Sequence, residues 1–96
     1  MRQLRWSRDA RSDMAAIDDY YRPRNVEFAQ RVLAQAVAAG RMLQQHPHAG
    51  PMIDDDGMRK WRVALTPYIL LYRDTGTILR IVRVMHAAQD WQSDLP

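Results

Sequence analysis

The stretch RKWRVALTPYILLYRDTGTILRIVRVMH, residues 59–86, decides the fold because it contains three successive strand patterns. Apolar and polar residues alternate with a period of two from Lys60 to Leu65, and residues 68–72 are apolar on both faces. Residues 78–86 form the strongest strand pattern, and the preceding segment DTGT, residues 74–77, is typical of a hairpin turn. These patterns predict an antiparallel meander of three strands.

The N-terminal half has a helical period instead. The segment QLRW, residues 3–6, suits a short first strand, after which Ser7 is predicted to cap a helix that Pro23 ends. Asn25 is predicted to cap a second helix that continues to about Gln45. A tight connection between the two helices would make them an antiparallel hairpin.

The predicted element order is therefore β-α-α-β-β-β, an α+β fold with a single domain over residues 1–96. The helical hairpin is expected to pack on one face of a four-stranded, mainly antiparallel sheet, with the first strand beside the last. Because side chains alternate along a strand, Arg80 and Arg83 are predicted to point to opposite faces. One of them is expected to pair with a carboxylate, the candidates being Asp13, Asp18 and Asp19.

Composition limits the classes of protein that the chain can represent. Its 96 residues can bury one modest core, and it has no cysteine, which suits a reducing compartment. No apolar run approaches the roughly 20 residues that span a bilayer, and the N-terminus lacks the apolar region of a signal peptide. We therefore expect a cytoplasmic protein without a membrane partner.

The basic residues are unusual in type and position. Thirteen of the 14 are arginine, and residues 58–86 carry a net charge of +5, whereas the rest of the chain carries −2. Arginine forms planar, bidentate contacts with phosphate and carboxylate, so the bias indicates an anionic partner. A GC-rich genome also enriches arginine, and both explanations remain open.

Four segments, together with the element order, resemble the RelE/ParE superfamily of bacterial type II toxins. They are LQQHPHAG at 43–50, GMRKWRV at 57–63, PYILLYR at 67–73 and ILRIVRVMHAAQDW at 78–91. The resemblance covers nearly the whole chain, and its C-terminal part is more similar to the ParE branch than to the RelE branch. It implies a small toxin that is encoded beside an antitoxin.

The two branches of the superfamily imply different activities. ParE-like members inhibit DNA gyrase by binding, which requires no catalytic residue, and this is the function that we expect. The alternative is a RelE-like endonuclease that cleaves messenger RNA on the ribosome. A third possibility is a member that binds its antitoxin but has lost toxicity.

The endonuclease alternative needs a proton acceptor, a proton donor and cations at one phosphate. The candidate active set is Arg62, Arg73, Arg83 and His86. Several RelE-like enzymes carry a histidine or a tyrosine at the very C-terminus, but here His86 is followed by ten further residues and no tyrosine follows Tyr72. His86 can instead end a strand and form a hydrogen bond with the backbone or a nearby loop.

The antitoxin is expected to be a small acidic protein with a ribbon-helix-helix domain. Its carboxylates are expected to contact four arginines: Arg59, Arg62, Arg73 and Arg83. The small residues Ala36 and Gly40 on the second helix are predicted to offer a groove for the same partner.

No metal or cofactor is expected. His46, His48 and the acidic run Asp54–Asp56 match no standard zinc spacing, and the acidic run is interpreted as a solvated loop tip rather than a loop leaning on the basic sheet. Trp61 is predicted to lie in the core, and Trp91 to anchor the tail against the fold.

Overall fold

The computed structural model describes residues 1–89 and shows the six elements in the predicted order. They are β1 (Gln3–Trp6), α1 (Arg8–Tyr21), α2 (Val26–Gln45), β2 (Arg59–Arg62), β3 (Tyr68–Asp74) and β4 (Ile78–His86). The strand order is β1-β4-β3-β2, with β1 parallel to β4 and the other two pairings antiparallel. The predicted fold class and the place of the first strand beside the last are confirmed. Trp91, predicted to anchor the tail, lies outside the described residues.

Both helices begin at the predicted caps. The Ser7 hydroxyl accepts a hydrogen bond from the Ala10 amide at 3.0 Å, and the Asn25 side chain accepts one from the Phe28 amide at 3.1 Å. Caps of this kind contribute about 1 kcal/mol each. The Ser7 hydroxyl also donates to the Val82 carbonyl at 2.7 Å, so the same side chain that starts α1 joins it to β4.

The main core lies between α2 and the helix-facing side of the sheet. The buried residues of α2 are Ala29, Val32, Ala36, Ala39, Gly40 and Leu43. Their spacing of three and four residues is that of one helix face. Val26 and Leu33 are apolar residues of α2 outside this face, and their side chains are 46% and 48% exposed. The buried face is composed mainly of small residues, which lets the backbone of α2 approach the sheet.

The predicted strand pattern through Leu65 is wrong beyond Arg62, where β2 ends. Leu65 is 74% exposed and has a φ of 62°, a left-handed conformation outside the range of a strand. The Thr66 hydroxyl donates to the Val63 carbonyl and accepts from the Tyr68 amide, which closes the turn before β3. Leu65 therefore belongs to this turn. Its apolar side chain continued the period-two pattern by chance, and the predicted strand was too long for that reason.

A second, smaller core lies on the opposite side of the sheet. Met58, Ile69, Leu71 and Met85 are buried there, and Ile53, Val82 and Ala87 pack against them. This face is therefore not bare, because an apolar floor underlies its charged side chains.

The HPHAG segment at 46–50 is fixed to the sheet by one buried hydroxyl. Tyr72 of β3 donates to the Pro47 carbonyl at 3.0 Å and accepts from the Gly50 amide at 2.9 Å. A side chain at Gly50 would place its Cβ 2.2 Å from the Lys60 carbonyl oxygen, so the close approach of this loop to β2 requires glycine.

Candidate functional site

Cationic side chains gather on the side of the sheet opposite the helices. Cross-strand pairs share a face, and the register pairs Arg62 with Ile69, Lys60 and Arg83 with Leu71, and Arg73 with Arg80. We call this set the basic face: Lys60, Arg62, Arg73, Arg80 and Arg83. Its charged groups surround the apolar floor that contains Ile69 and Leu71.

A β-bulge in β4 places Arg80 and Arg83 on the same face. Tyr72 pairs with Ile81, whereas its neighbour Leu71 pairs with Arg83, which leaves Val82 as an extra residue. One extra residue reverses the alternation of side chains beyond it. The prediction that the two arginines point to opposite faces is therefore wrong, and alternation gives no reason to assign them to separate sites.

Arg59 does not share the basic face. It pairs with Tyr72, whose ring lies in the main core, so Arg59 belongs to the helix-facing side. Its guanidinium donates to the Gly50 carbonyl at 2.6 Å and to the His48 carbonyl at 3.5 Å. The expected surface of four arginines is thus corrected: Arg59 anchors the loop, and Arg62, Arg73 and Arg83 lie on the basic face.

Arg83 forms a two-pronged ion pair with Asp13 of α1. The Nε–Oδ2 and Nη2–Oδ1 distances are 2.8 and 3.0 Å, and the same Oδ2 accepts from the Val84 amide at 2.9 Å. Because β1 ends opposite Ile81, the remainder of β4 is an edge that α1 covers here. The predicted pairing of a β4 arginine with one of three carboxylates is confirmed for Asp13.

The acidic loop rests on Arg73. The Arg73 guanidinium donates to the Asp56 carbonyl at 2.6 Å, and its Nη2 lies 3.9 Å from Oδ2 of Asp54. The other Asp54 oxygen accepts from the Asp56 and Met58 amides, both at 2.9 Å, and so fixes the loop. The loop therefore leans on the basic sheet, which corrects the interpretation of Asp54–Asp56 as a solvated tip, although Asp55 and Asp56 are exposed.

The two remaining arginines of the basic face differ in their surroundings. Arg62 donates from Nε to the Thr66 carbonyl at 3.1 Å, which orients its side chain along the end of β2. Arg80 is exposed, and the structure gives it no ion pair within residues 1–89.

His86 lies on the helix-facing side, away from Arg62 and Arg73. It pairs with Tyr68, and the two rings meet edge to face with centroids 5.4 Å apart. Its Nδ1 accepts from the Ala88 amide at 3.0 Å, so neutral His86 carries its proton on Nε2. His86 therefore ends a strand and forms a hydrogen bond with the backbone, as one of its two interpretations from the sequence predicted.

A cavity of about 310 Å³ opens between α1 and the end of β4. Its lining includes His86, Tyr68, Tyr21 and the Asp13–Arg83 pair. Burial and a hydrogen bond with Tyr21 raise the pKa of Tyr68 to about 12, so its hydroxyl stays protonated at neutral pH.

The candidate catalytic set is therefore divided. Arg83 lies at the edge of the basic face and lines this cavity with His86, whereas Arg62 and Arg73 lie on the basic face and do not line the cavity. Tyr21, which lines the same cavity as His86, was not among the predicted site residues. No local pattern could have identified it, because the two residues lie on elements far apart in the chain.

The predicted groove at Ala36 and Gly40 is filled by the chain itself. Ala36 is fully buried, and a Cβ at Gly40 would lie 3.1 Å from the Trp6 ring and 3.5 Å from Leu4. The small residues serve the packing of α2 on β1, so the expectation of an open groove for a partner at this place is wrong.

No group of three metal-ligating side chains occurs within residues 1–89. His48 lies instead beside Asp74, with Nε2 3.3 Å from Oδ2, and Asp74 also accepts from Arg2 at 2.5 Å. In the same part of the chain, no helix is both long enough and apolar enough to cross a membrane.

A helical hairpin packed on a four-stranded mixed sheet with an arginine-rich open face defines a toxin domain of the RelE/ParE type. The family model of the "ParE toxin of type II toxin-antitoxin system, parDE" matches residues 4–91. The chain therefore belongs to the ParE toxin family.

Two known proteins are similar to the chain over most of its length. "Toxin RelE2" of Caulobacter vibrioides is 29% identical over 89 residues, which make up 93% of this chain and 99% of that protein. A chain from the structure "Chromosomal ParDE TA system from P. aeruginosa" is 28% identical, with a TM-score of 0.78, and the match covers 90% of this chain and 96% of that chain.

Proposed function

We propose that the chain is the toxin of a type II toxin–antitoxin pair, that it inhibits DNA gyrase by binding, and that a cognate antitoxin neutralises it. Its membership of the ParE family supports the class of toxin. The resemblance of its C-terminal segment to the ParE branch supports gyrase as the target, which would place the action in the cytoplasm.

The observation that carries the choice of binding over cleavage is the division of the candidate catalytic set. Cleavage of RNA needs a base, an acid and cations at one phosphate. His86 faces the helices beside Tyr68, whereas Arg62 and Arg73 belong to the opposite side of the sheet. The sheet therefore separates His86, the only candidate base in the set, from Arg62 and Arg73, two of its three cations.

A ribosome-dependent mRNA endonuclease is the second candidate. The name of the relative "Toxin RelE2" and the cavity that Arg83 shares with His86 favour it. The Asp13 carboxylate occupies two donors of Arg83, so this activity would require the ion pair to open.

Two assays on the purified toxin separate the candidates. We expect inhibition of DNA supercoiling by gyrase and no cleavage of messenger RNA on translating ribosomes. His86→Ala should leave gyrase inhibition within about twofold, because His86 is not part of a catalytic step in this proposal. Ribosomal cleavage that His86→Ala abolishes, with gyrase unaffected, would establish the second candidate. Activity in neither assay, from a toxin that still binds antitoxin, would indicate a member without toxicity.

For the antitoxin we propose an acidic partner, of the ribbon-helix-helix class, that contacts Arg62, Arg73 and Arg83 on the basic face. Arg62→Glu is the sharpest probe because Arg62 is bound to a carbonyl rather than to a carboxylate. We expect it to weaken antitoxin binding by about tenfold or more, since attraction becomes repulsion. Arg41→Glu, on the exposed side of α2, is the matched control. Equal affinities of the two variants would contradict the assigned surface.

A further inference from the structure

Three arginines lie side by side across β1, β4 and β3. Arg5 pairs with Arg80 in the parallel ladder, and Arg80 pairs with Arg73 in the antiparallel ladder. We call these three residues the arginine row. Arg5 lies on the same side of the sheet as the basic face, because its neighbours Leu4 and Trp6 pack in the main core on the other side. Paired strands are about 4.8 Å apart, so the three side chains start about 5 Å from one another.

The arginine row is electrostatically unfavourable in the isolated chain. Like charges directly opposite each other on neighbouring strands destabilise a sheet. Arg73 is relieved by the acidic loop, but Arg5 contacts the neutral Gln3 side chain at 2.8 Å. Within residues 1–89 the structure shows no ion pair for Arg80. An anionic group above Arg5 and Arg80 would relieve this repulsion.

The surroundings favour peptide carboxylates over nucleic-acid phosphates. Asp54 and the Asp56 carbonyl already contact Arg73, so this face accommodates groups of a protein chain. Beyond Arg73, a cavity of about 200 Å³ is lined by Arg73, Arg83 and three acidic residues, Asp9, Asp54 and Asp56. These acidic residues interrupt the positive surface where a phosphate backbone would have to continue. An extended peptide, by contrast, presents every second side chain on one side, about 7 Å apart.

We propose that the arginine row binds an extended acidic segment of a partner protein, whose carboxylates contact Arg5 and Arg80. The segment crosses β1 and β4 and ends near the acidic loop on Arg73. The identification of this partner as the antitoxin rests on the proposed function, whereas the chemistry of the row does not. Arg5 and Arg80 thereby extend the proposed antitoxin surface beyond Arg62, Arg73 and Arg83.

The binding test uses a short fluorescent peptide of alternating glutamate and threonine, titrated with the whole chain at low ionic strength. We expect Arg5→Gln and Arg80→Gln each to weaken binding about two- to fivefold, and the double variant about tenfold. Arg80→Lys keeps the charge and should stay within about twofold of the parent. Arg31→Gln, an exposed arginine of α2, is the control for net charge. Equal losses in Arg31→Gln and Arg80→Gln would overturn the proposal.

A stability measurement on the same variants distinguishes a binding residue from a structural one. Because Arg80→Gln removes like-charge repulsion, it should raise the melting temperature by about 1–3 °C at low salt, and added salt should abolish the gain. An arginine held by a structural ion pair would instead lose stability. A lower melting temperature of Arg80→Gln would therefore overturn the proposal.

A short DNA duplex, titrated in parallel, tests the other class of anion. Tighter binding of the duplex than of the peptide, lost in the Arg5→Gln/Arg80→Gln variant, would assign the row to nucleic acid and overturn the peptide proposal. Neither gyrase nor antitoxin is present in these titrations. A failure of the peptide titration therefore does not contradict the proposed function. A failure of the gyrase assay likewise does not contradict peptide binding by the arginine row.

Discussion

At the scale of the residue, the hydroxyl of Tyr72 is the buried group that joins the HPHAG segment to the sheet. The hydroxyl accepts a hydrogen bond from the Gly50 amide and donates one to the Pro47 carbonyl, and the aromatic ring alone could form neither. Burial of this hydroxyl raises the pKa of Tyr72, which keeps it neutral and able to donate. One of the four segments that carry the resemblance is thus explained by structure, because it closes a loop.

Replacing Tyr72 with Phe should lower the free energy of unfolding by about 1–3 kcal/mol, since the buried Gly50 amide and the partly buried Pro47 carbonyl lose their partner. Urea denaturation of the variant and its parent measures the difference. Tyr20→Phe is the matched control, because Tyr20 is 54% exposed. Equal stabilities of Tyr72→Phe and the parent would show that water replaces the hydroxyl at no cost.

Tyr68 predicts how stability depends on alkaline pH. Its pKa is raised from 10.0 to about 12 in the folded chain, so the folded state holds its proton more tightly than the unfolded state does. This contribution is complete below pH 10 and is lost as the pH rises towards 12. Thermal melts from pH 9 upwards should therefore show a steeper loss of stability in the parent than in Tyr68→Phe. Parallel pH profiles for the two proteins would refute the assignment.

At the scale of the element, the tie between α1 and β4 depends on Asp13. Its two oxygens hold the Arg83 guanidinium and the Val84 amide at the edge of the sheet. Asp13→Ala removes the two hydrogen bonds to the partly buried Arg83 guanidinium and the one to the Val84 amide, so we expect a loss of about 1–3 kcal/mol. Chemical denaturation with Asp19→Ala as the exposed control measures it. A loss in both variants alike would mean that the helix charge, not the ion pair, is responsible.

The elements also show how far local pattern predicts structure. Helix caps and strand periods are properties of a few neighbouring residues, and so Ser7, Asn25 and the DTGT turn were predictable. The β-bulge at Val82 was not, because the apolar pair Ile81–Val82 also suits a regular strand that is buried on both faces, and only the partner strand reveals the extra residue. The basic face depends on that bulge, which is why the sequence identified its arginines but not their arrangement.

The same limit applies to α2. Ala36 and Gly40 were recognised as small residues that allow close approach, but a helix pattern does not say what approaches. The structure shows that β1 does, through Leu4 and Trp6. An internal contact between distant elements and a contact with a partner leave the same signal in one sequence.

At the scale of the whole molecule, Asp74 joins three distant parts of the chain. Its side chain is 9% exposed and accepts from Arg2 beside β1 and from the Gly76 amide in the β3–β4 turn, and it lies 3.3 Å from His48 in the HPHAG segment. Burial alone would raise the pKa of Asp74. The hydrogen bonds from Arg2 and Gly76, together with the Arg2 charge, outweigh it and hold the pKa below its usual range.

Because the pKa of Asp74 is lower in the folded chain than in the unfolded chain, its contribution to stability is complete above the ordinary aspartate pKa of about 4. It is lost as the pH falls through the lower value of the folded state. Asp74→Asn should therefore be less stable than the parent at pH 7, and the difference should shrink as the pH is lowered below about 4. Thermal melts between neutral pH and about pH 3 measure this convergence. Asp55→Asn, an exposed site on the acidic loop, is the control, and its difference from the parent should stay small throughout. A pH-independent gap between Asp74→Asn and the parent would mean that packing, and not the charged carboxylate, holds the N-terminal strand, the turn and the loop together.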